Sequence, residues 1–174
     1  DGFDDIIIGA NYADANGENS GASYVIFGKA SGFDATVELS SLDGNNGFRL
    51  EGAVAGDYSG RSVSTAGDFN GDGFADLIIG AFGAEPNGQD SGSSYLVYGK
   101  ASGFSASLNL ADLGSSDGIL LNGLAAGDSL GKSVSSAGDV NNDGFDDLII
   151  GAPFGDVSIP NTVFVYVIFG GVFG

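Results

Sequence analysis

The chain repeats itself. Asp1 aligns with Asp72 and Asp72 with Asp143, a period of 71 residues almost free of gaps. Ser-Gly-Ala-Ser-Tyr-Val-Ile-Phe-Gly-Lys-Ala-Ser-Gly-Phe at 20–33 returns as Ser-Gly-Ser-Ser-Tyr-Leu-Val-Tyr-Gly-Lys-Ala-Ser-Gly-Phe at 91–104, and Ala-Gly-Asp at 55–57 returns at 126–128. A long period means that each unit is one supersecondary structure, too small to bury its apolar surface alone. Neighbouring units must therefore pack on one another, as an array or as the blades of a propeller.

Each unit carries four strand signals. The first, A, spans 61–66 and returns at 132–137. Strand B spans 76–81, with copies at 5–10 and 147–152. Strand C spans 94–99, with copies at 23–28 and 163–170, and strand D spans 118–122, with a copy at 47–51. All are short, rich in Val, Ile, Leu and Tyr, and bounded by glycine or Asx residues. The link at 101–117 contains Leu108-Asn109-Leu110, enough for an extra short turn or strand. No amphipathic helix of useful length is present. Thirty-two glycines and three prolines suit many tight turns, and 43% hydrophobic residues exclude a disordered acidic tail. Four antiparallel strands per repeat is the anatomy of a propeller blade. The expected fold is all-β, a propeller segment of about two and a half blades. Residues 1–60 give a partial blade B-C-D, 61–131 a complete blade, and 132–174 a partial blade A-B-C. The apolar run from 163 to the end falls short of the ~20 residues of a spanning helix and reads as a buried strand C.

The A–B turn is the chemically distinctive part. It reads Asp68-Phe69-Asn70-Gly71-Asp72-Gly73-Phe74-Ala75-Asp76 in one unit and Asp139-Val140-Asn141-Asn142-Asp143-Gly144-Phe145-Asp146-Asp147 in the next. Side-chain oxygens fall at positions one, three, five and nine: Asp68, Asn70, Asp72 and Asp76, then Asp139, Asn141, Asp143 and Asp147. Alternate residues of a tight loop can point inward together. Position six is Gly73 or Gly144, where the chain turns sharply and a Cβ is expected to clash. Position seven, Phe74 or Phe145, offers its backbone carbonyl. Such a set suits a hard cation of flexible coordination, and Ca2+ takes about 6–8 oxygens. The loop is not an EF-hand, because position twelve is Ile79 or Ile150 and a strand follows. The N-terminal copy keeps only Asp1, Phe3 and Asp5, so its site is expected to be empty or partly filled. Of the adjacent pair Asp146-Asp147, one is expected to ligate and the other to be solvated.

Charge and composition exclude several classes. A net charge of −18 leaves no basic face for nucleic acid or anionic membrane. The absence of histidine and cysteine excludes disulfides, thiol and imidazole metal sites, and Ser-His or Cys-His nucleophile systems. Ser129-Leu130-Gly131-Lys132 fits a Ser-x-x-Lys pattern, but its repeat counterpart begins with Tyr58, and no catalytic constellation is found. Asp57 and Asp128 read as turn formers.

The calcium loop followed by Asp-Leu-Ile-Ile-Gly-Ala resembles the FG-GAP repeats of the integrin α-subunit β-propeller, closest in flavour to those of large secreted bacterial, cyanobacterial-type, calcium-binding proteins. The Phe-Gly half of the motif is Ser59-Gly60 and Leu130-Gly131 here, while the Gly-Ala-Pro half survives at 151–153. The resemblance implies a seven-bladed propeller with calcium in its A–B loops on one face. It further implies a non-enzymatic structural or adhesive module, extracellular or on the cell surface. Expected partners are other blades of a longer chain or copies of this one, and protein or glycan ligands. A lectin-like propeller is the alternative, with Tyr12, Phe82 and Phe154 as its aromatic platforms. An accessory domain of a larger secreted enzyme or toxin is another.

Overall fold

The computed structural model describes residues 2–154 and 163–172. Its strands are β1 (Ile6–Ala10), β2 (Ala22–Ile26), β3 (Gly47–Glu51), β4 (Ser62–Gly67), β5 (Asp76–Ala81), β6 (Ser93–Val97), β7 (Ser107–Asn109), β8 (Gly118–Asn122), β9 (Ser133–Gly138), β10 (Asp147–Ala152) and β11 (Phe164–Ile168). They form three sheets in the orders β1-β2-β3-β7, β4-β5-β6-β8 and β11-β10-β9. Consecutive strands within each unit pair antiparallel, Ile79 facing Tyr95 and Ile150 facing Tyr166. The fold is all-β and bladed, as the repeat requires. Strands B and D fall where the sequence places them to within one residue, and A and C shift by a residue or two at their ends.

The middle sheet explains the run Leu77-Ile78-Ile79. Successive strand residues point to opposite faces. Ile79, Tyr95 and Val97 join Val25, Phe48 and Leu50 of the first sheet in one apolar cluster. Ile78 and Leu96 join Val134, Leu148 and Ile150 of the third sheet in another. A strand buried on both faces has no use for a polar alternation. Each such Ile or Leu stabilises the fold by about 1.5–3 kcal/mol through burial.

The outer sheets show the converse. In β1, Ile7 packs inward while Ile6 and Ile8 remain 45% and 38% exposed. In β11, Tyr166 and Ile168 pack inward while Val165 and Val167 are 57% and 45% exposed. The same apolar pattern is only half used where a sheet has one neighbour.

The link at 101–117 does more than connect. Its strand β7 leaves its own sheet and pairs in parallel with β3, Arg49 facing Ser107 and Glu51 facing Asn109. A 3-10 turn at Leu110–Asp112 follows, capped by Asn109 Oδ1, which accepts from the Ala111 N–H at 3.0 Å. Asn16 Nδ2 donates to Asn109 Oδ1 at 3.2 Å and to the Gly52 carbonyl at 2.8 Å. The second unit is thus laced onto the rim of the first. The expected B–C loop of the last unit falls mostly outside the described residues.

Candidate metal centre

The A–B loops lie at one end of the sheets. Each enters from a β-bulge, between Thr65 and Gly67 in one sheet and beside Asp147 in the other.

Position nine is the anchor. Asp76 is fully buried. Its Oδ2 accepts from the Phe69 N–H at 3.1 Å, and its Oδ1 from the Gly99 N–H at 2.8 Å. Asp147 repeats this with the Val140 N–H at 2.9 Å and the Gly170 N–H at 2.9 Å. Asp5 keeps the second bond, accepting from the Gly28 N–H at 2.8 Å. Position nine therefore ties position two of the loop to the far end of strand C. The sequence reading, which treats these residues as ligands, misses this role, because the strand-C donor lies 23 residues away. Burial pushes the Asp76 carboxyl up to about 6, against the pull of the Gly99 and Phe69 N–H groups, and the Asp72 charge adds to the rise. Each oxygen keeps a further lone pair for a cation.

Positions one to seven fold around their own amides. Asn70 Oδ1 accepts from the Asp72 N–H at 2.9 Å, Asp72 Oδ1 from the Phe74 N–H at 2.9 Å, and Asp68 Oδ2 from the Gly73 N–H at 3.1 Å. Asn70 Nδ2 donates to Asp72 Oδ2 at 2.9 Å. The second loop matches it: Asn141 Oδ1 accepts from Asp143 N–H, Asp143 Oδ1 from Phe145 N–H and Asp139 Oδ2 from Gly144 N–H. Among the described residues no three carboxylates stand together as a ready-made cluster. In this arrangement the side chains of positions one, three and five take backbone donors.

One atom departs from this pattern. Asp68 Oδ1 is buried and has no hydrogen-bond partner among the described residues. Its counterpart, Asp139 Oδ1, accepts from the Asp143 N–H at 3.1 Å, and Asp139 is exposed. A buried carboxylate oxygen without a donor is costly, and it belongs to the first ligand position of a loop otherwise made of acceptors. The donor set fits a hard cation. Gly73 and Gly144 have φ of +88° and +96°, yet a Cβ at either would meet nothing within 4 Å. The clash expected there is absent; the glycine is required by the left-handed backbone alone.

Asp1 lies outside the described residues. Phe3 is half exposed and Asp5 holds strand C, so the N-terminal copy presents only part of a loop. Asp146 is not solvated as expected: its Oδ2 accepts from the Asp68 N–H at 2.8 Å, across to the neighbouring loop.

At the opposite end, Tyr58 stacks on Phe82 with ring centroids 5.3 Å apart, and Tyr12 meets Tyr58 edge-on at 5.7 Å. The Lys132 ammonium lies over Phe82 at 4.1 Å and over Phe154 at 5.5 Å. Asp57 Oδ2 accepts from the Val54 N–H, and Asp128 Oδ2 from Leu124 and Ala125, as turn formers do.

The FG-GAP repeat model matches residues 59–97 and 131–168, in each case strand A, the A–B loop, strand B and strand C. The chain carries FG-GAP repeats of the integrin α-subunit type. It is 34% identical to integrin alpha-5 of Xenopus laevis over 133 residues, 74% of this chain and 12% of that protein. It is 34% identical to integrin alpha-3 of Cricetulus griseus over 105 residues, 60% of this chain and 9% of that protein. Against integrin alpha-V of Gallus gallus it is 27% identical over 172 residues, 94% of this chain and 16% of that protein. These FG-GAP repeats span roughly a tenth of the relatives they match. No helix among the described residues is long and apolar enough to cross a membrane.

Proposed function

We propose that this chain is a calcium-stabilised, non-enzymatic propeller module with an adhesive role in a secreted or cell-surface protein. The unpartnered, buried Asp68 Oδ1 carries the calcium reading. Asp68, Asn70, Asp72, Asp76 and the Phe74 carbonyl would hold one ion, and Asp139, Asn141, Asp143, Asp147 and the Phe145 carbonyl a second. A bound Ca2+ supplies the positive charge that the acidic loops lack. The protein groups do the rest: position nine fixes the loop to strand C, and the Asn amides keep positions three and five together.

Extracellular modules bind calcium at about 10⁻⁴–10⁻³ M, which favours a secreted setting. The adhesive role rests on likeness to proteins named as integrins. Those relatives are animal proteins and lend no support to a bacterial source. The lectin alternative is weakened because the Phe82 ring is taken by Tyr58 and Lys132.

The test is thermal unfolding with millimolar CaCl2 and with EGTA. Metal that binds only the folded state stabilises it by mass action, about 2.7 kcal/mol at a hundredfold excess over Kd. Calcium is expected to raise the midpoint by several degrees. Superimposable curves would overturn the calcium reading.

A further inference from the structure

Two adjacent A–B loops touch through a reciprocal pair of bonds. The Asp68 N–H donates to Asp146 Oδ2 at 2.8 Å, and the Asp146 N–H donates to the Asp68 carbonyl at 3.2 Å. The contact is close-fitting. Gly67, at φ +70°, leaves the room that the Asp146 carboxylate fills; a Cβ there would lie 2.1 Å from Asp146 Oδ2. Just downstream, the Gly171 N–H donates to the Phe69 carbonyl at 2.9 Å.

The Asp146 N–H belongs to the same planar peptide as the Phe145 carbonyl, the position-seven oxygen of the second loop. In a trans peptide the two groups point in opposite directions. Holding that N–H on Asp68 therefore fixes the direction of the Phe145 carbonyl. In return, Asp146 fixes the backbone of Asp68, whose buried Oδ1 is the unsatisfied ligand atom of the first loop. The equivalent of Asp146 is Ala75 in the middle unit and Asp4 in the first. Asp139 has no such cover among the described residues and is exposed.

We propose that Asp146 is a positioning residue that couples the 68–76 and 139–147 loops, so that an ion in either strengthens binding in the other. This rests on the calcium reading above. An ion on Asp68 holds that residue's backbone still and so tightens its N–H on the Asp146 side chain; the tightened pair presents the Phe145 carbonyl to the second ion. Coupling of this kind is reciprocal by thermodynamic necessity and typically amounts to roughly 5–150-fold; a fivefold effect is expected from two hydrogen bonds at a partly solvated contact.

The experiment is calorimetric Ca2+ titration of the 174-residue chain. Asp72→Ala silences one loop and Asp143→Ala the other, and each measures its partner alone. The parent is expected to bind about fivefold more tightly than the sum of the two single-loop curves. Adding Asp146→Ala to all three proteins should abolish that excess, and Asp146→Asn, whose amide oxygen still accepts from Asp68, should keep it. A variant that merely loosened the fold would lower the single-loop affinities too and leave the excess. If Asp146→Ala does not fold, Asp146→Ser takes its place. A parent curve equal to the sum, an excess that survives Asp146→Ala, or an Asn variant behaving like Ala would each overturn the coupling and leave calcium binding intact. No calcium uptake by the parent would overturn both.

Discussion

Asp57 is 6% exposed, with the Val54 N–H on its Oδ2 at 3.0 Å. Burial pushes its carboxyl up to about 6; the Val54 hydrogen bond opposes this and the Glu85 charge adds to it. A carboxyl raised above its unfolded value of about 3.9 favours the folded state in its protonated form. That contribution is complete below about pH 4 and is lost as pH rises through about 6. Asp57→Asn keeps an acceptor for Val54 and cannot ionise. Urea midpoints of parent and variant are expected to differ little at pH 4, with the variant gaining about 2 kcal/mol by pH 7 after allowance for solvent screening. A difference that does not change between those pH values would refute the assignment. The turn role of Asp57 was legible in Ala-Gly-Asp recurring at the repeat period. Its burial was not, because it depends on how the neighbouring unit's loop covers the turn.

At the scale of the element, each A–B loop combines a mechanical part and an ion-binding part, and substitution separates them. Asp76→Ala removes the carboxylate that accepts from the Phe69 and Gly99 N–H groups. It is expected to cost about 2–4 kcal/mol already in EGTA, and more in calcium, where a ligand is lost as well. Asp72→Ala lies in an exposed part of the loop, and should cost less than about 1 kcal/mol in EGTA and several-fold more in calcium. Chemical denaturation of both variants in both buffers checks this; equal losses in EGTA would show that the division is wrong. The sequence revealed positions one to nine because their oxygens repeat at fixed spacing. It could not reveal that Asp76 spends both oxygens on backbone, since the Gly99 donor is 23 residues away. The departure of β7 was hidden for a related reason. Parallel pairing with the preceding sheet leaves no local pattern, only three residues, Ser107 to Asn109, with strand character.

At the scale of the molecule, the two end sheets offer apolar faces that the middle sheet has already shown how to fill. Ile6 and Ile8 on β1 stand where Leu77 and Ile79 stand on β5, and Val165 and Val167 on β11 belong to the strand-C face opposite Tyr166. Ile79 is fully buried by contact with the preceding sheet, so the same chemistry is available between the third sheet of one copy and the first of another. Such a contact joins unlike surfaces, and unlike surfaces build rings when the rotation closes and open filaments when it does not. The edges of β1 and β11 add unpaired backbone groups, which recruit further strands. The 174-residue chain in isolation is therefore expected to associate head to tail, its mass by light scattering rising with concentration. Charge placed on one face should be enough to block it: Ile8→Lys or Val167→Lys alone should return the mass toward 17.3 kDa, whereas Lys at the half-exposed Leu120, on β8 at the rim of the middle sheet, should not. A parent that stays monomeric across that range, with the amides of β1 and β11 protected from exchange, would mean that these faces are covered within the single chain and that head-to-tail packing of copies is not how this fold completes itself.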